Sequence, residues 1–157
     1  MKDVYEEHYD AIFQYILFLT TDSELTDDFV QETFFRFFKA QNVRNDKAVL
    51  IRIARNLVYD HYRRKSLLKW LPIEQEKPDE RPLPPEIVEH SEEVRRLYRA
   101  LSEIRLNYRE AIVLRYIEEM SVKEVAGHLQ MTEAQVKNNT VRGLKALRKI
   151  LGGDSDD

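Results

Sequence analysis

Five residues of one short stretch carry groups suited to nucleic acid: Arg52, Arg55, Asn56, Tyr59 and Arg63, within LIRIARNLVYDHYRRK at 50–65. At about 100° per residue they share one side of a helix. Cations meet phosphate, an amide reads a base edge, and a phenol ring stacks on an unpaired base. Leu50, Ile53, Ala54 and Leu57 fall on the other side, which can bury. A plain alternative fits the same residues: a solvated basic face with Tyr59 as a half-buried anchor, since most charge runs are surface. The rest of the chain has to separate the two.

A second group lies near the C-terminus. Ser121 with Glu124, and Thr132 with Gln135, have the spacing of capping boxes, in which each side chain satisfies the other residue's backbone amide at a helix start. They define a short helix, SVKEVAGHL, a turn, QM, and a longer helix from Thr132. Val125, Leu129, Met131 and Val136 can form the packed angle between the helices, with Ala126 permitting close approach. This is the layout of a DNA-binding helix-turn-helix. Lys137, Asn138, Thr140 and Arg142, in the first turns of the longer helix, suit phosphates and base edges. A purely structural corner would have the same spacing without those side chains. Gln130 stands where glycine often fills the tight turn, and positive φ there costs about 1 kcal/mol.

The elements that must position these groups are helical. Residues 2–20 have apolar positions at helical spacing from Tyr9 onward. Thr26 is expected as the N-cap of a second helix over 27–40, with Asp27 and Asp28 at the positive end of its dipole. That helix carries Phe29, Phe34, Phe35, Phe37 and Phe38 on more than one side, so a single packed face cannot hide them all. Gln31, Glu32 and Arg36 remain as a polar face for a partner. Asn45 or Asp46 can cap the third helix, which holds the basic stretch. All five prolines then fall between 72 and 85, mixed with acidic residues, which reads as an extended linker. Trp70, Leu71 and Ile73 at its start are candidates to dock on the first domain or on a partner. From Ser91 the helical pattern resumes, with Val94, Leu97, Leu101 and Ile104 as one stripe and a further helix over 107–119. The expected fold class is all-α: two small helical domains joined by a Pro-rich acidic linker, the second a four-helix helix-turn-helix domain. The expected bounds are 1–66, a flexible linker at 67–90, 91–151, and a disordered tail at 152–157.

Composition narrows the function. Of 157 residues, 43% are hydrophobic and 34% charged, as in a globular chain rather than a disordered one. The absence of cysteine excludes disulfides, thiolate metal sites and thiol catalysis. The longest uncharged run near the N-terminus, 11–21, is too short to span a bilayer, and the acidic start lacks a signal-peptide n-region. A cytoplasmic protein without direct membrane association is expected. The net charge of −3 argues against binding nucleic acid by bulk positive charge. Its distribution matters more: residues 41–65 hold seven Lys/Arg against two Asp/Glu, whereas 1–40 hold three against nine. Strong stand-alone DNA affinity is therefore not expected, because phosphate neutralisation drives it.

In this arrangement the chain resembles an extracytoplasmic-function sigma factor, of the smallest sigma-70-type initiation factors. The resemblance spans roughly 4–66 and 91–151. DDFVQETFFRFFK resembles the family's core-polymerase-binding segment, LIRIARNLVYDHYRRK its segment for recognising and melting the minus-10 element, and NYREAIVLRYIEEMSVKEVAGHLQMTEAQVKNNTVRGLKALRK its minus-35-binding domain. The resemblance implies that Asp28, Gln31, Glu32, Phe35 and Arg36 meet core RNA polymerase. It places Arg52, Arg55, Asn56, Tyr59, Asp60, Arg63 and Arg64 at the minus-10 element, with Asn56 and Asp60 at base-contacting positions. Lys137, Asn138, Val141 and Arg142 match the helix face reading the minus-35 element, and Arg115 matches a phosphate-contacting position. Core polymerase and promoter DNA are the implied partners, with an anti-sigma factor that is commonly membrane-bound. No cofactor or metal is implied. The Ser-Arg often following the TVK-like step is here Asn138-Asn139.

Two other classes compete. A transcriptional regulator that never joins the polymerase would share the helix-turn-helix, but gives no reason for the RIARN helix or the polar face of the second helix. An enzyme would need a site; His8, His61, His90 and His128 are scattered, and no glycine precedes Gly127 to form a phosphate loop in the first domain.

Overall fold

The computed structural model describes residues 2–40, 46–67 and 83–152, and these residues are helical with no strand among them. The N-terminal part holds α1 (Lys2–Thr20), α2 (Ser23–Lys39) and α3 (Asp46–Leu67). The C-terminal part holds α4 (Pro85–Val88), α5 (Glu92–Leu101), α6 (Leu106–Ile112), α7 (Val122–Leu129) and α8 (Glu133–Gly152). A π-helical turn, Val113–Ile117, continues α6. No described helix is long and apolar enough to cross a membrane.

The first corner differs from the sequence expectation. Asp22, not Thr26, caps α2: its Oδ1 accepts the Leu25 amide at 3.1 Å, so the helix begins at Ser23, earlier than expected. Thr21 at φ 52° makes the preceding turn. Thr26 is fully buried inside the helix, where its hydroxyl donates to the Asp22 carbonyl at 2.7 Å and lies 3.2 Å from the Thr20 hydroxyl. A threonine that can bond back to its own helix has no need of the cap position.

The phenylalanines of α2 do point to several sides. Phe34 and Phe37 enter the core beside Ile12, Tyr15 and Ile16 of α1 and Leu50, Ile51, Ala54 and Val58 of α3. Phe29 and Phe38 are half-buried, and Phe35 is 57% exposed. On α3 the buried stripe is also rotated from the expected one: Ile51 and Val58 are buried, whereas Ile53 and Leu57 are only half-buried. The cause is a second covering surface. One side of α3 packs on α1 and α2, while α7 packs against it as well. The expectation had assumed a single packed face.

The expected linker lies largely outside the described residues, as do Trp70, Leu71, Ile73, Asn45 and most of the acidic tail. Within its C-terminal end, Pro85–Val88 fold into a short helix that buries Ile87 in the common core. Proline suits that first turn because its missing N–H would have had no helical partner.

Candidate nucleic-acid interface

The α7–α8 corner forms as its caps require. Ser121 and Glu124 close one capping box at 3.0 and 2.9 Å, and Thr132 and Gln135 close the other at 3.1 and 2.9 Å. Gln130 sits in the turn at φ 56°, the left-handed conformation expected there. Val125 and Val136 are buried in the angle, with Leu129 and Met131 packed against them. From this corner α8 presents Lys137, Asn138, Val141 and Arg142 to solvent. Val141 is 53% exposed. Thr140, expected on this face, turns inward instead. It follows Val136 by one helical turn, is buried, and donates to the Val136 carbonyl at 2.7 Å. Arg115 lies behind the corner, half-buried, with a guanidinium N–H on the Met120 carbonyl at 3.1 Å.

The basic helix is divided. Arg52, Asn56, Arg63 and Arg64 are exposed, and Arg63 pairs with the half-buried Asp60 at 3.0 Å. Arg55 and Tyr59 instead turn toward the C-terminal part. Arg55 donates its Nε–H to Oε2 of Glu110 at 2.8 Å, and its guanidinium lies 4.2 Å from the Tyr59 ring centre. The Tyr59 hydroxyl donates to the other Glu110 oxygen at 2.8 Å. Tyr15, fully buried on α1, donates to Oε2 at 2.8 Å. Thus one carboxylate from α6 gathers donors from α1 and α3. Burial pushes its pKa up, and Arg55 and the two phenols oppose that shift. Burial beside Glu110 pushes both phenols up as well, so they stay protonated donors.

Glu110 was not singled out from the sequence. A signal was present: it lies one helical turn from Leu106 and from Leu114, a charge inside an apolar stripe. Its neighbour Arg109 is also buried and reinforces the junction, donating to the Leu19 carbonyl at the end of α1 and to the Ile104 carbonyl at 2.9 Å.

The third surface is on α2. Asp28, Gln31, Phe35 and Arg36 are exposed, with Glu32 paired to Arg36 at 2.7 Å. Lys39 covers one face of the Phe35 ring at 5.1 Å. The three surfaces lie on three different helices, and the structure does not merge them into one site.

Two family descriptions match the chain: Sigma-70 region 2 over residues 4–67, and Sigma-70, region 4 over residues 94–147. The ECF RNA polymerase sigma factor SigX of Bacillus subtilis is 29% identical over 156 residues, covering 93% of this chain and 80% of the relative. SigM of the same organism is 26% identical, covering 100% of this chain and 98% of the relative. Among solved structures, the sigma factor RpoE in complex with the anti-sigma factor NepR, from Bartonella quintana, aligns with a TM-score of 0.75 at 21% identity, covering 98% of this chain and 99% of that one. CnrH in complex with the cytosolic domain of CnrY aligns at 0.69 and 24% identity, covering 98% and 88%. At those identities the likeness to the solved structures is one of fold.

Proposed function

The chain belongs to the sigma-70 family, in its extracytoplasmic-function group, and from that premise we propose how its helices divide the work of initiation. As a sigma factor it binds core RNA polymerase and directs it to specific promoters. The α2 surface of Asp28, Gln31, Glu32, Phe35 and Arg36 meets the polymerase. An exposed aromatic ring among paired charges is the composition of an interface centre and its rim. The α3 face of Arg52, Arg55, Asn56, Tyr59, Asp60, Arg63 and Arg64 receives the minus-10 element. A factor that opens DNA must hold unpaired bases better than paired ones, or it shifts no equilibrium. Amide and ring beside cations have that preference.

Lys137, Asn138, Val141 and Arg142 enter the major groove at the minus-35 element, with Arg115 on a phosphate. Residues 1–66 and 91–151 act as the two promoter-reading domains, joined through 67–90. The observation that carries the reading is the exposed polar row on α8, held by two closed capping boxes, downstream of a separate cationic helix. Work in the cytoplasm without catalytic activity, and restraint by an anti-sigma factor, follow from the same membership.

The test is to purify the chain with core polymerase and ask for co-elution and promoter-specific run-off transcription from a genomic fragment library. Absence of core binding favours a regulator that acts without the polymerase.

A further inference from the structure

Arg105 takes part in none of the roles above. It is the N-cap residue of α6, with φ −60° and ψ 145°, and its side chain makes no capping hydrogen bond. Ser, Thr, Asp or Asn there would accept a free backbone amide, and a cation faces the positive end of the helix dipole. Local stability therefore gives no reason for an arginine. Its surroundings do not neutralise it either. Arg36, Arg55, Arg63 and Arg95 each pair with a carboxylate, whereas Arg105 and Arg142 pair with none among the described residues. Both are exposed.

Tyr108 brings these two cations to one place. The Arg105 guanidinium lies 5.6 Å from the Tyr108 ring centre. Arg142, together with Arg105, holds the phenol below its ordinary pKa. The start of α6 is also packed directly on α8. A Cβ on Gly143 would lie 3.1 Å from the Tyr108 carbonyl oxygen, and the Asn107 amide donates to Oδ1 of Asn139 at 3.5 Å. Two exposed guanidiniums beside one phenol thus make a positive spot on the flank of α8, which favours an anion.

We infer that Arg105 grips a backbone phosphate of the duplex at the edge of the minus-35 element, beside the groove that Arg142 enters. The inference rests on the proposed placement of α8 in the major groove. It adds a second phosphate contact to that of Arg115, which is half-buried and already donates to the Met120 carbonyl. In a chain of net charge −3, with no bulk attraction for DNA, each such contact counts. A phosphate is the same at every base pair, so Arg105 strengthens binding and fixes register without choosing sequence.

The measurement uses holoenzyme assembled from the full chain and core polymerase. The probe is a fluorescein-labelled promoter duplex recovered by run-off transcription, with its minus-35 element intact, altered or scrambled. Arg105→Ala should weaken binding by about eightfold in 0.1 M salt, the contribution of one released counterion there. The loss should be equal for intact and altered elements, and the salt dependence should become shallower by about one unit. Arg105→Lys, which keeps the charge, should keep the wild-type slope. A methylphosphonate linkage removes one phosphate charge. Moved along both strands beside the element, it should weaken wild-type binding at a position to which Arg105→Ala no longer responds. Unchanged affinity and slope in Arg105→Ala overturn the inference. So does a loss confined to some minus-35 variants, which means base reading, or a loss of co-elution with core, which means that Arg105 faces the polymerase. Equal binding of intact and scrambled elements by the wild type is a different failure: it overturns the placement of α8, and the inference with it.

Discussion

Gly143 of α8 and Ile112 of α6 approach so closely that a Cβ on Gly143 would lie 2.7 Å from the Ile112 Cδ1, and 3.1 Å from the Tyr108 carbonyl oxygen. The isoleucine tip could rotate away, but the backbone oxygen could not. This contact sets how far α8 stands from the helix beneath it. Gly143→Val is therefore expected to cost roughly 1–3 kcal/mol through overpacking. Gly143→Ala should cost less, because about 1 kcal/mol of helix propensity is regained. Urea midpoints of the three proteins measure this, and equal midpoints would show that the spacing is not strict.

The contrast between Gly143 and Gln130 shows what sequence reading could reach. The turn at Gln130, both capping boxes and the α7–α8 corner depend on residues close in sequence, and each formed as expected. Local bonding decides such features. Thr26 shows where local reasoning stops: it was the expected cap, but it is buried within the helix, and Asp22, four residues earlier, takes the role. A half-buried Tyr59 was one of the two readings of the stretch, but the partner that engages Arg55 and Tyr59 was not legible. That partner is Glu110, 55 and 51 positions away, and helical periodicity within α3 carries no information about a partner on α6. The inward turn of Thr140 was legible in principle, from its one-turn spacing to Val136.

Asn56 is exposed on α3 while Arg55 beside it is engaged by Glu110. Its amide is thus available to a base edge without any rearrangement of the fold. If its partner is an unpaired base, Asn56→Ala should impair promoter opening more than formation of the closed complex. Footprinting of closed complexes, set beside permanganate reactivity of the opened strand, separates the two steps. Equal loss in both would place the contact on duplex DNA instead.

Arg142 is exposed on α8 and does not stand alone. The cationic Arg142, together with Arg105, holds the nearby Tyr108 phenol below its ordinary pKa. Tyr108 of α6 thus lies within electrostatic reach of Arg142. Arg142→Ala should lower discrimination among minus-35 variants by about 1–3 kcal/mol if it reads a base edge. Tyr108→Phe should give a smaller loss of the same sense. Uniform weakening across all variants would instead assign Arg142 to a phosphate, and competition binding by the polymerase complex distinguishes these results.

Glu118 ends the π-helical turn with Oε2 buried and without a hydrogen-bond partner among the described residues. Burial pushes its carboxyl from the ordinary 4.5 up to about 7, with Lys47 on α3 opposing the shift. The folded chain therefore holds this proton more tightly than the unfolded chain does. As pH rises from about 4.5 to 7, the unfolded chain loses the proton first, and the Glu118 contribution to stability falls across that window. Above the folded pKa the loss is complete. Glu118→Gln, neutral at every pH, should escape it. Wild type should lose about 1–2 kcal/mol more than the variant between pH near 4 and pH near 8, a figure reduced for partial solvent screening. The pair of proteins cancels other carboxylates common to both. Urea unfolding at the two pH values provides the measurement, and parallel pH profiles would mean that Glu118 reaches water more freely than its burial implies. Because Lys47 on α3 opposes the shift of Glu118, adding salt should change the difference between the wild-type and variant profiles, since only the charged Glu118 carboxylate has this lysine's attraction to lose.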